Sequence, residues 1–277
     1  MVLGELCLNL TIVIPTRNRT KQVRWLVHKL KPLNSELIVV DDYSQRPVMV
    51  DGATVVRNPR RLGSGESRNV GCRLAKSNWL LLIDDDLAPS AGLVRFIDRL
   101  LPTLKCKDII GFRIVGSNKV GSRSITYRFT GLFRVLNILF GVDISPRTGP
   151  SRFLPSAMLF QTSFFISLGG FDSQIYGGNG FREESDLQHR ARKAGGKLTY
   201  IENPFFQHLN ISGGHQKGLS SDGLDYMRNH TIFATRSGHP ASLVKVAAFG
   251  AYCMANGIRL STLVKGISQG IVVVLKG

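Results

Sequence analysis

The sequence predicts an α/β fold in which a mixed, mainly parallel central sheet is flanked by helices and followed by a helical C-terminal appendage. In the first hundred residues, short apolar runs alternate with stretches of helical periodicity, and each apolar run leads into polar residues. This alternation is typical of parallel, doubly wound sheets. The most regular example is 79–89, WLLLIDDDLAP, where five large apolar residues lead into three aspartates.

The stretch 79–89 predicts a central strand and a ligand site at its end. A continuous apolar run is typical of a strand buried on both faces, and Pro89 prevents the strand from continuing. Asp84, Asp85 and Asp86 would then lie at the carboxyl end of this strand, where open α/β sheets bind their ligands. Because adjacent carboxylates repel one another, three of them favour a hard divalent cation. The alternative is an acidic turn exposed to solvent.

The other elements follow from the same apolar patterns. The predicted strands are 8–14, 36–40, 55–56, 109–115, 156–167 and 198–201, and the predicted helices are 21–30, 63–76, 90–101, 183–194 and 222–236, with two more helical segments between 241 and 275. Pro15 is expected to end the first strand. Asp41 and Asp42 follow the second, so further carboxylates are expected at the same sheet edge. We expect one α/β domain over 1–240 and a separate helical segment over 241–277.

Residues 116–155 differ in composition from the rest of the predicted domain. They contain six basic residues, and Asp143 is their only acid. Within them, 131–140 (GLFRVLNILF) is an apolar stretch of helical type with one arginine. A basic segment with an apolar helix fits an interfacial or acceptor-binding element. An ordinary insertion packed on the core fits the same pattern, and the sequence leaves both interpretations open.

The charge balance predicts an anionic partner. The net charge is +17 and the pI is about 10.2, which suits nucleic acid, an anionic membrane surface or a phosphorylated substrate. Four scattered cysteines, no signal peptide and no apolar run of roughly 20 residues lead us to expect a cytoplasmic protein, peripheral on the inner face of the cell membrane. The apolar stretches 243–255 and 258–275 would make the membrane contact, and core packing is their alternative.

Five motifs occur in a characteristic order: VIPTRNR, ELIVVDDYS, LLIDDDLAP, FFISLGGFD and REESDLQHRARKAG. Together they resemble the GT-A fold glycosyltransferases of family 2, the inverting transferases that use nucleotide sugars. The resemblance covers about residues 10–240. It implies a GT-A fold, a nucleotide-sugar donor, a divalent metal (Mn²⁺ or Mg²⁺) and a saccharide or lipid-linked saccharide acceptor, with a role in polysaccharide or glycolipid biosynthesis.

The resemblance also implies roles for individual residues. Thr16 and Arg17 would line the nucleotide pocket, Asp42 would accept a hydrogen bond from the base, and Arg68 would approach the base or the diphosphate. Among the three adjacent aspartates, Asp86 would bind the metal and Asp84 the ribose or the metal. Asp85, between them, would contribute to donor binding in a less defined way.

Two assignments stay open between neighbours. His208 matches a position that supplies a third metal ligand in many relatives, and His215 is its competitor. Glu184 stands where relatives carry an aspartate that acts as the catalytic base, one methylene shorter. Because this changes the reach of the carboxylate, Glu183 is the alternative base. A purely structural interpretation is that these acids complement the dipole of the helix that they begin.

Three other function classes fit parts of the sequence. A nucleotidyltransferase would share the sheet and the metal, but it requires a glycine-rich phosphate loop after the first strand, and 15–18 (PTRN) contains no glycine. A nucleic-acid-binding protein would require basic residues interleaved with aromatic ones, and aspartate clusters would repel phosphates. No nucleic-acid partner is therefore expected. The glutamate at position 184, in place of the aspartate of relatives, also fits an inactive relative that binds the donor without turning it over.

Overall fold

The computed structural model describes residues 9–116, 147–176, 180–209, 219–238, 242–255 and 257–276. Nine strands form in these ranges: β1 Leu10–Thr16, β2 Glu36–Asp41, β3 Thr54–Arg57, β4 Trp79–Leu82, β5 Leu87–Pro89, β6 Asp108–Gly116, β7 Gly149–Pro150, β8 Met158–Gln161 and β9 Lys197–His208. The helices are α1 Thr20–Leu30, α2 Ser64–Leu74, α3 Leu93–Leu100, α4 Thr162–Ser167, α5 Glu183–Lys193, α6 Leu219–Arg236, α7 Ser242–Ala255 and α8 Leu260–Lys276.

The strands make one mixed sheet of order β3-β2-β1-β4-β8-β6-β9-β5, with β7 on β9. Its first half, β3 to β4, is parallel throughout, as the alternation of strands and helices predicts. Strand β8 then runs antiparallel between β4 and β6. The predicted fold class is confirmed. The carboxyl ends of β1, β2 and β4 therefore meet at one edge of the sheet.

Both faces of the sheet are covered, which explains the continuous apolar run of β4. Leu81 and Ile83 pack with α1 and α3 on one face. Leu80 and Leu82 pack on the other face with α2, α4 and α5. Because side chains alternate between faces along a strand, a strand with helices on both sides needs apolar residues at every position.

Several predicted boundaries were wrong. Strand β1 continues through Pro15 to Thr16, because β4 pairs with β1 only as far as Val13, so the missing N–H of Pro15 lies beyond that ladder. The segment 156–167 is a four-residue strand followed by the helix α4. Strand β9 extends to His208, well past the predicted end at residue 201. The apolar stretch 131–140 lies outside the described residues.

The C-terminal helices build a core of their own. Met227 and Ala234 of α6 pack with Val246, Phe249 and Cys253 of α7 and with Leu263 of α8. The outer faces of α7 and α8 carry large exposed apolar side chains, including Leu243 and Leu275 at 84% and 80% exposure. None of the helices in the described ranges is both long enough and apolar enough to cross a bilayer. The domain boundary near residue 240 stays a prediction.

The substitution Gly266→Ala is expected to destabilise the packing of α8 on α6. A Cβ at residue 266 would lie 2.9 Å from Cβ of Met227 and 3.0 Å from the carbonyl oxygen of Leu224, and neither neighbour is a flexible chain end. We expect a loss of about 1–3 kcal/mol in the free energy of unfolding, measured by urea denaturation. Gly250→Ala is the matched control, since its Cβ would meet nothing closer than 4.0 Å. Equal effects of the two substitutions would contradict this account.

Candidate active site

Asp42, at the carboxyl end of β2, is buried and shapes the loop that precedes α2. Its Oδ1 accepts hydrogen bonds from the backbone N–H of Leu62 (2.7 Å) and from Nδ2 of Asn58 (3.0 Å). Its Oδ2 accepts one from the backbone N–H of Gly63 at 3.0 Å. The carboxylate therefore holds the turn in place, and its predicted contact with a nucleotide base stays a prediction.

Asp85 points back to the loop after β1. Thr16 donates its hydroxyl to Oδ2 at 2.7 Å, and Nη1 of Arg19 donates to Oδ1 at 2.6 Å. Burial raises the pKa of Asp85 to about 6, while the adjacent Arg19 guanidinium and the Thr16 hydroxyl act to lower it. Asp85 thus ties β1 to the end of β4. Arg17, two residues before Arg19, is half-buried beside them.

Arg19 is a site residue that the sequence analysis missed. Its side chain is only 8% exposed, and Nη1 contacts Asp86 at 2.9 Å as well as Asp85. A single guanidinium therefore neutralises two of the three adjacent aspartates. The available signal was the second arginine of the VIPTRNR motif, but nothing in the sequence links it to a segment more than 60 residues away.

His208 lies next to Asp86 because β5 and β9 pair antiparallel, with Leu87 opposite His208. Nε2 of His208 is 3.7 Å from Oδ2 of Asp86. A register shift in β9, opposite Phe112 and Arg113, lets the chain continue along β6 and reach this point. The competing residue His215 lies outside the described residues.

The carboxylate of Asp86 and the imidazole of His208 are suitable ligands for a divalent cation. Carboxylate and imidazole ligands suit Mn²⁺, and 3.7 Å is too long for a hydrogen bond but compatible with two ligands on one ion. Within the described ranges, no group of three or more His, Cys, Asp or Glu side chains is close enough together to hold a metal. These two residues would thus require further ligands, such as the phosphates of a donor.

Asp84 faces a different neighbour, the buried side chain of Arg68. Nη2 of Arg68 donates to Oδ1 of Asp84, and Nη1 donates to Oε1 of Glu184 at 3.2 Å. Ser156 donates its hydroxyl to Oδ2 of Asp84 at 3.0 Å, and the guanidinium carbon lies 5.3 Å from the ring centre of Phe171. Burial lowers the pKa of Arg68, but the charges of Asp84 and Glu184 reverse the effect and raise it.

Glu183 and Glu184 occupy different environments at the start of α5. Glu183 is 5% exposed and packs under Gly65, where a Cβ would lie 2.1 Å from its Oε2. Burial, and then the charge of Glu184, raise the pKa of Glu183 to about 8. The Glu184 side chain is 30% exposed and contacts Arg68. Asp186, one turn further, is buried and accepts hydrogen bonds from Tyr176 and Arg190.

The structure thus joins four of the predicted acids in pairs through two arginines. Arg68 joins Glu184 to Asp84, while Arg19 joins Asp85 to Asp86. Asp84 and Asp86 therefore contact different partners. The predicted position of Glu184 across a cleft from Asp86 stays a prediction.

Comparison with known proteins adds the family. The sequence model described as Glycosyl transferase family 2 matches residues 11–165, more than half of the chain. The chain belongs to glycosyl transferase family 2. A pre-mycofactocin glycosyltransferase of Mycobacterium tuberculosis is 30% identical over 205 residues, 69% of this chain and 41% of that protein. An uncharacterized glycosyltransferase of Haemophilus influenzae is 42% identical over 85 residues, 28% of this chain and 29% of that protein. The chain spans less than half the length of these curated relatives.

Solved structures of similar fold support the family 2 architecture. The crystal structure of S. aureus TarS 1-349 has a TM-score of 0.63 at 14% identity and covers 96% of this chain and 80% of that chain. GalNAc-T7 with UDP, GalNAc and Mn²⁺ has a TM-score of 0.54 at 18% identity, over 83% of this chain and 48% of that chain. At such identities the likeness shows the fold alone, which is the GT-A fold.

Glu183→Gln is expected to remove one source of pH-dependent stability. Because the pKa of Glu183 is about 8 in the folded chain, above the ordinary 4.5, the unfolded chain loses this proton first as the pH rises. The contribution of Glu183 to stability therefore falls between about pH 4.5 and 8 and is constant outside that window. Relative to the parent, the variant should gain about 2–4 kcal/mol between pH 5 and pH 8.

Urea denaturation at several pH values measures this difference. Glu202→Gln is the control, because its carboxylate is 42% exposed and contacts Arg113 at 3.5 Å. A difference between Glu183→Gln and the parent that is the same at pH 5 and at pH 8 would show that the carboxyl is not held in its neutral form.

Proposed function

We propose that this chain is an inverting glycosyltransferase, which moves a sugar from a nucleotide-sugar donor to a hydroxyl acceptor. The observation that carries the proposal is the contact of the buried Arg68 with both Asp84 and Glu184. Asp84 belongs to the aspartate run at the predicted donor site, and Glu184 is the predicted base. If these roles are right, the Arg68 side chain would link the donor site to the base, and a direct transfer requires the two to lie close together.

The donor would bind at the edge formed by the ends of β1, β2 and β4. Thr16, Arg17 and Asp42 would surround the nucleoside, with Arg68, Asp84 and Asp85 nearer to the phosphates and ribose. TarS has been solved with UDP and with UDP-GlcNAc, at TM-scores of 0.61 and 0.62. A uridine diphosphate sugar is therefore the first donor class to test, ahead of GDP and dTDP sugars.

Asp86 and His208 would hold a divalent cation, with Asp84 as the further candidate ligand. GalNAc-T7, a structural neighbour, was solved with Mn²⁺ and UDP. A bound cation of this kind would neutralise the charge that develops on the departing diphosphate. In the described structure, Arg19 supplies the positive charge at Asp86, so a cation at this position would share Asp86 with Arg19 or replace its contact.

Glu184 is the better of the two candidate bases. With a pKa of about 8, Glu183 carries a proton at neutral pH and cannot accept another one. Glu184 is more exposed and is held by Arg68, so its carboxylate can reach an acceptor in solvent. In the proposed reaction Glu184 takes the proton of the acceptor hydroxyl. That oxygen bonds to the anomeric carbon as the bond to the diphosphate breaks, and the configuration inverts.

The acceptor would be a saccharide or a lipid-linked saccharide, with polysaccharide or glycolipid as the product class. The net charge of +17 favours an anionic surface, and the exposed apolar faces of α7 and α8 would contact the headgroup region of a membrane. Peripheral attachment to the cytoplasmic face of the membrane is therefore part of the proposal.

Glu184→Gln should retain donor binding and lose transfer. The amide cannot accept the proton, so we expect turnover to fall by about 10²–10⁴-fold while the Kd for the donor changes little. The measurement is product formation from a panel of UDP, GDP and dTDP sugars, together with calorimetric donor binding. Glu202→Gln serves as control. If Glu184→Gln kept full turnover and Glu183→Gln lost it, Glu183 would be the base.

Asp86→Ala should lose metal-dependent binding of the nucleotide. Calorimetry with UDP in Mn²⁺ and in EDTA, together with electron paramagnetic resonance of Mn²⁺, measures this independently of activity. We expect Mn²⁺ to strengthen UDP binding to the parent about tenfold or more and to have little effect on the variant. Asp98→Ala, an exposed carboxylate on α3, is the control. Metal-dependent binding that survives in Asp86→Ala would exclude this ligand assignment.

A further inference from the structure

A cluster of cations lies along α5, the helix whose first turn carries the predicted base, outside the donor site described above. Its members are Arg152 in the segment between β7 and β8, Arg182 immediately before α5, Arg192 in the last turn of α5, and Lys245 on α7. We refer to these four residues as the α5 basic cluster. None of them belongs to the predicted donor or metal site.

Two phenylalanines pack against two of the four cations. The rings of Phe153 and Phe233 lie 6.0 Å apart, edge to face. The guanidinium carbon of Arg192 is 5.3 Å from the ring centre of Phe153, and that of Arg182 is 5.5 Å from the ring centre of Phe233. His189 contacts Phe233 as well, at 6.3 Å between ring centres. The aromatic pair thus provides a rigid apolar base for the charged groups.

The inner side of the cluster is buried. Arg182 and Lys245 are 3% and 6% exposed, and His230 is fully buried between them. Nη2 of Arg182 lies 3.1 Å from Nδ1 of His230, whose Nε2 lies 3.2 Å from the backbone oxygen of Lys245. Burial, and then the Arg182 charge, hold the pKa of His230 well below its ordinary value, so the imidazole is neutral. Arg152 and Arg192 are only half-buried and form an accessible rim.

The charges inside this cluster repel one another. Burial lowers the pKa of Lys245, and the positive charges of Arg152, Arg182 and Arg192 lower it further. The pKa of Arg192 is likewise lowered by burial and then by Arg152. In the part of the chain that the structure describes, Nε of Arg152 and Nε of Arg192 are buried without a hydrogen-bond partner. Nε of Arg68 is also without a hydrogen-bond partner among the described residues, but the Nη atoms of Arg68 contact two carboxylates.

We propose that the α5 basic cluster binds a phosphate group of the acceptor. An anion would neutralise the mutual repulsion and accept hydrogen bonds from the arginine donors, and the guanidinium fork matches the geometry of phosphate oxygens. A phosphate offers more acceptor oxygens and more negative charge than a carboxylate, which suits four cations better.

The acceptor is the source of this phosphate because of where the cluster lies. Arg182 immediately precedes α5 and Arg192 lies on it, so the cluster shares this helix with the predicted base Glu184, whereas Asp86 follows β4. The acceptor assignment rests on the proposed function, because there is an acceptor only if the chain transfers a sugar. Arg152 also belongs to the basic segment 116–155, for which an acceptor-binding role is one of the two sequence-based interpretations.

Binding of inorganic phosphate tests the site without any turnover. The protein would be used free of divalent metal, so that the predicted metal site does not contribute, and binding would be followed by calorimetry. We expect the double substitution Arg152→Gln/Arg192→Gln to weaken phosphate binding about tenfold or more, as loss of charge-assisted hydrogen bonds does. The control Arg95→Gln/Arg99→Gln removes the same charge from exposed positions on α3, across the sheet, and should bind within about twofold of the parent.

Thermal unfolding separates a binding role from a structural one. Because the four cations repel one another, the double variant should have a Tm equal to or above that of the parent without phosphate, and phosphate should raise the Tm of the parent more than that of the variant. Unchanged phosphate binding in the double variant, or equal weakening in the α3 control, would overturn the proposal. A large fall in Tm without phosphate would also overturn it, since the cluster would then be structural.

The source of the phosphate is tested by transfer assays. A sugar phosphate in solution and a polyprenyl phosphate in detergent micelles would each be compared with the unphosphorylated counterpart. We expect the double variant to raise KM for the phosphorylated acceptor about tenfold or more with kcat little changed, and to leave the unphosphorylated acceptor unaffected. If the parent and the double variant each used the phosphorylated and the unphosphorylated acceptor with the same KM, the acceptor assignment would be overturned. Phosphate binding with no transfer from any donor would instead leave the site in place and refute the proposed function.

Discussion

The organisation of the candidate site depends on the pairing of buried arginines with the carboxylates at the edge of the sheet. Arg68 is 2% exposed, and without Asp84 and Glu184 its burial would cost several kcal/mol. The same holds in reverse, because Asp84 and Glu184 would repel each other without the guanidinium between them. Arg19 does the same for Asp85 and Asp86. The carboxylates of this edge stay close together because two cations are buried among them.

The sheet supplies the frame on which these pairs form. Strands β1, β2 and β4 are parallel neighbours, so their polar carboxyl ends must emerge at the same edge. Helices on both faces bury the side chains of Leu80, Leu81 and Leu82 in the central strand, which fixes the position of the aspartates after Ile83. Strand β9 then approaches from the far side of the sheet and carries His208 to Asp86. Helix α7 adds one cation, Lys245, to the surroundings of α5.

The sequence predicted much of this site because its chemistry is concentrated in short motifs. Asp84, Asp86 and Glu184 were selected from motif positions and Arg68 from the family resemblance. The structure brings Asp84, Arg68 and Glu184 into contact, while their roles stay predictions. Arg19 and Ser156 were missed, since the sign of a role for each is its contact with an aspartate that lies 66 or more residues away in the chain. The strand boundaries at Pro15 and His208 were wrong for a related reason, because β1 extends as far as its partner β2 and β9 as far as its partner β6.

The sequence by itself determined the fold class, the parallel first half of the sheet and the position of the aspartates after β4. These follow from local periodicity and from residue types that strongly favour one backbone conformation. Only the tertiary structure decided which carboxylates share a cation, and that Glu183 is buried and neutral while Glu184 is held by Arg68. It also decided that Arg152, Arg182, Arg192 and Lys245 lie together. Burial and Coulomb interactions depend on distances between segments, and the order of residues along the chain does not contain those distances.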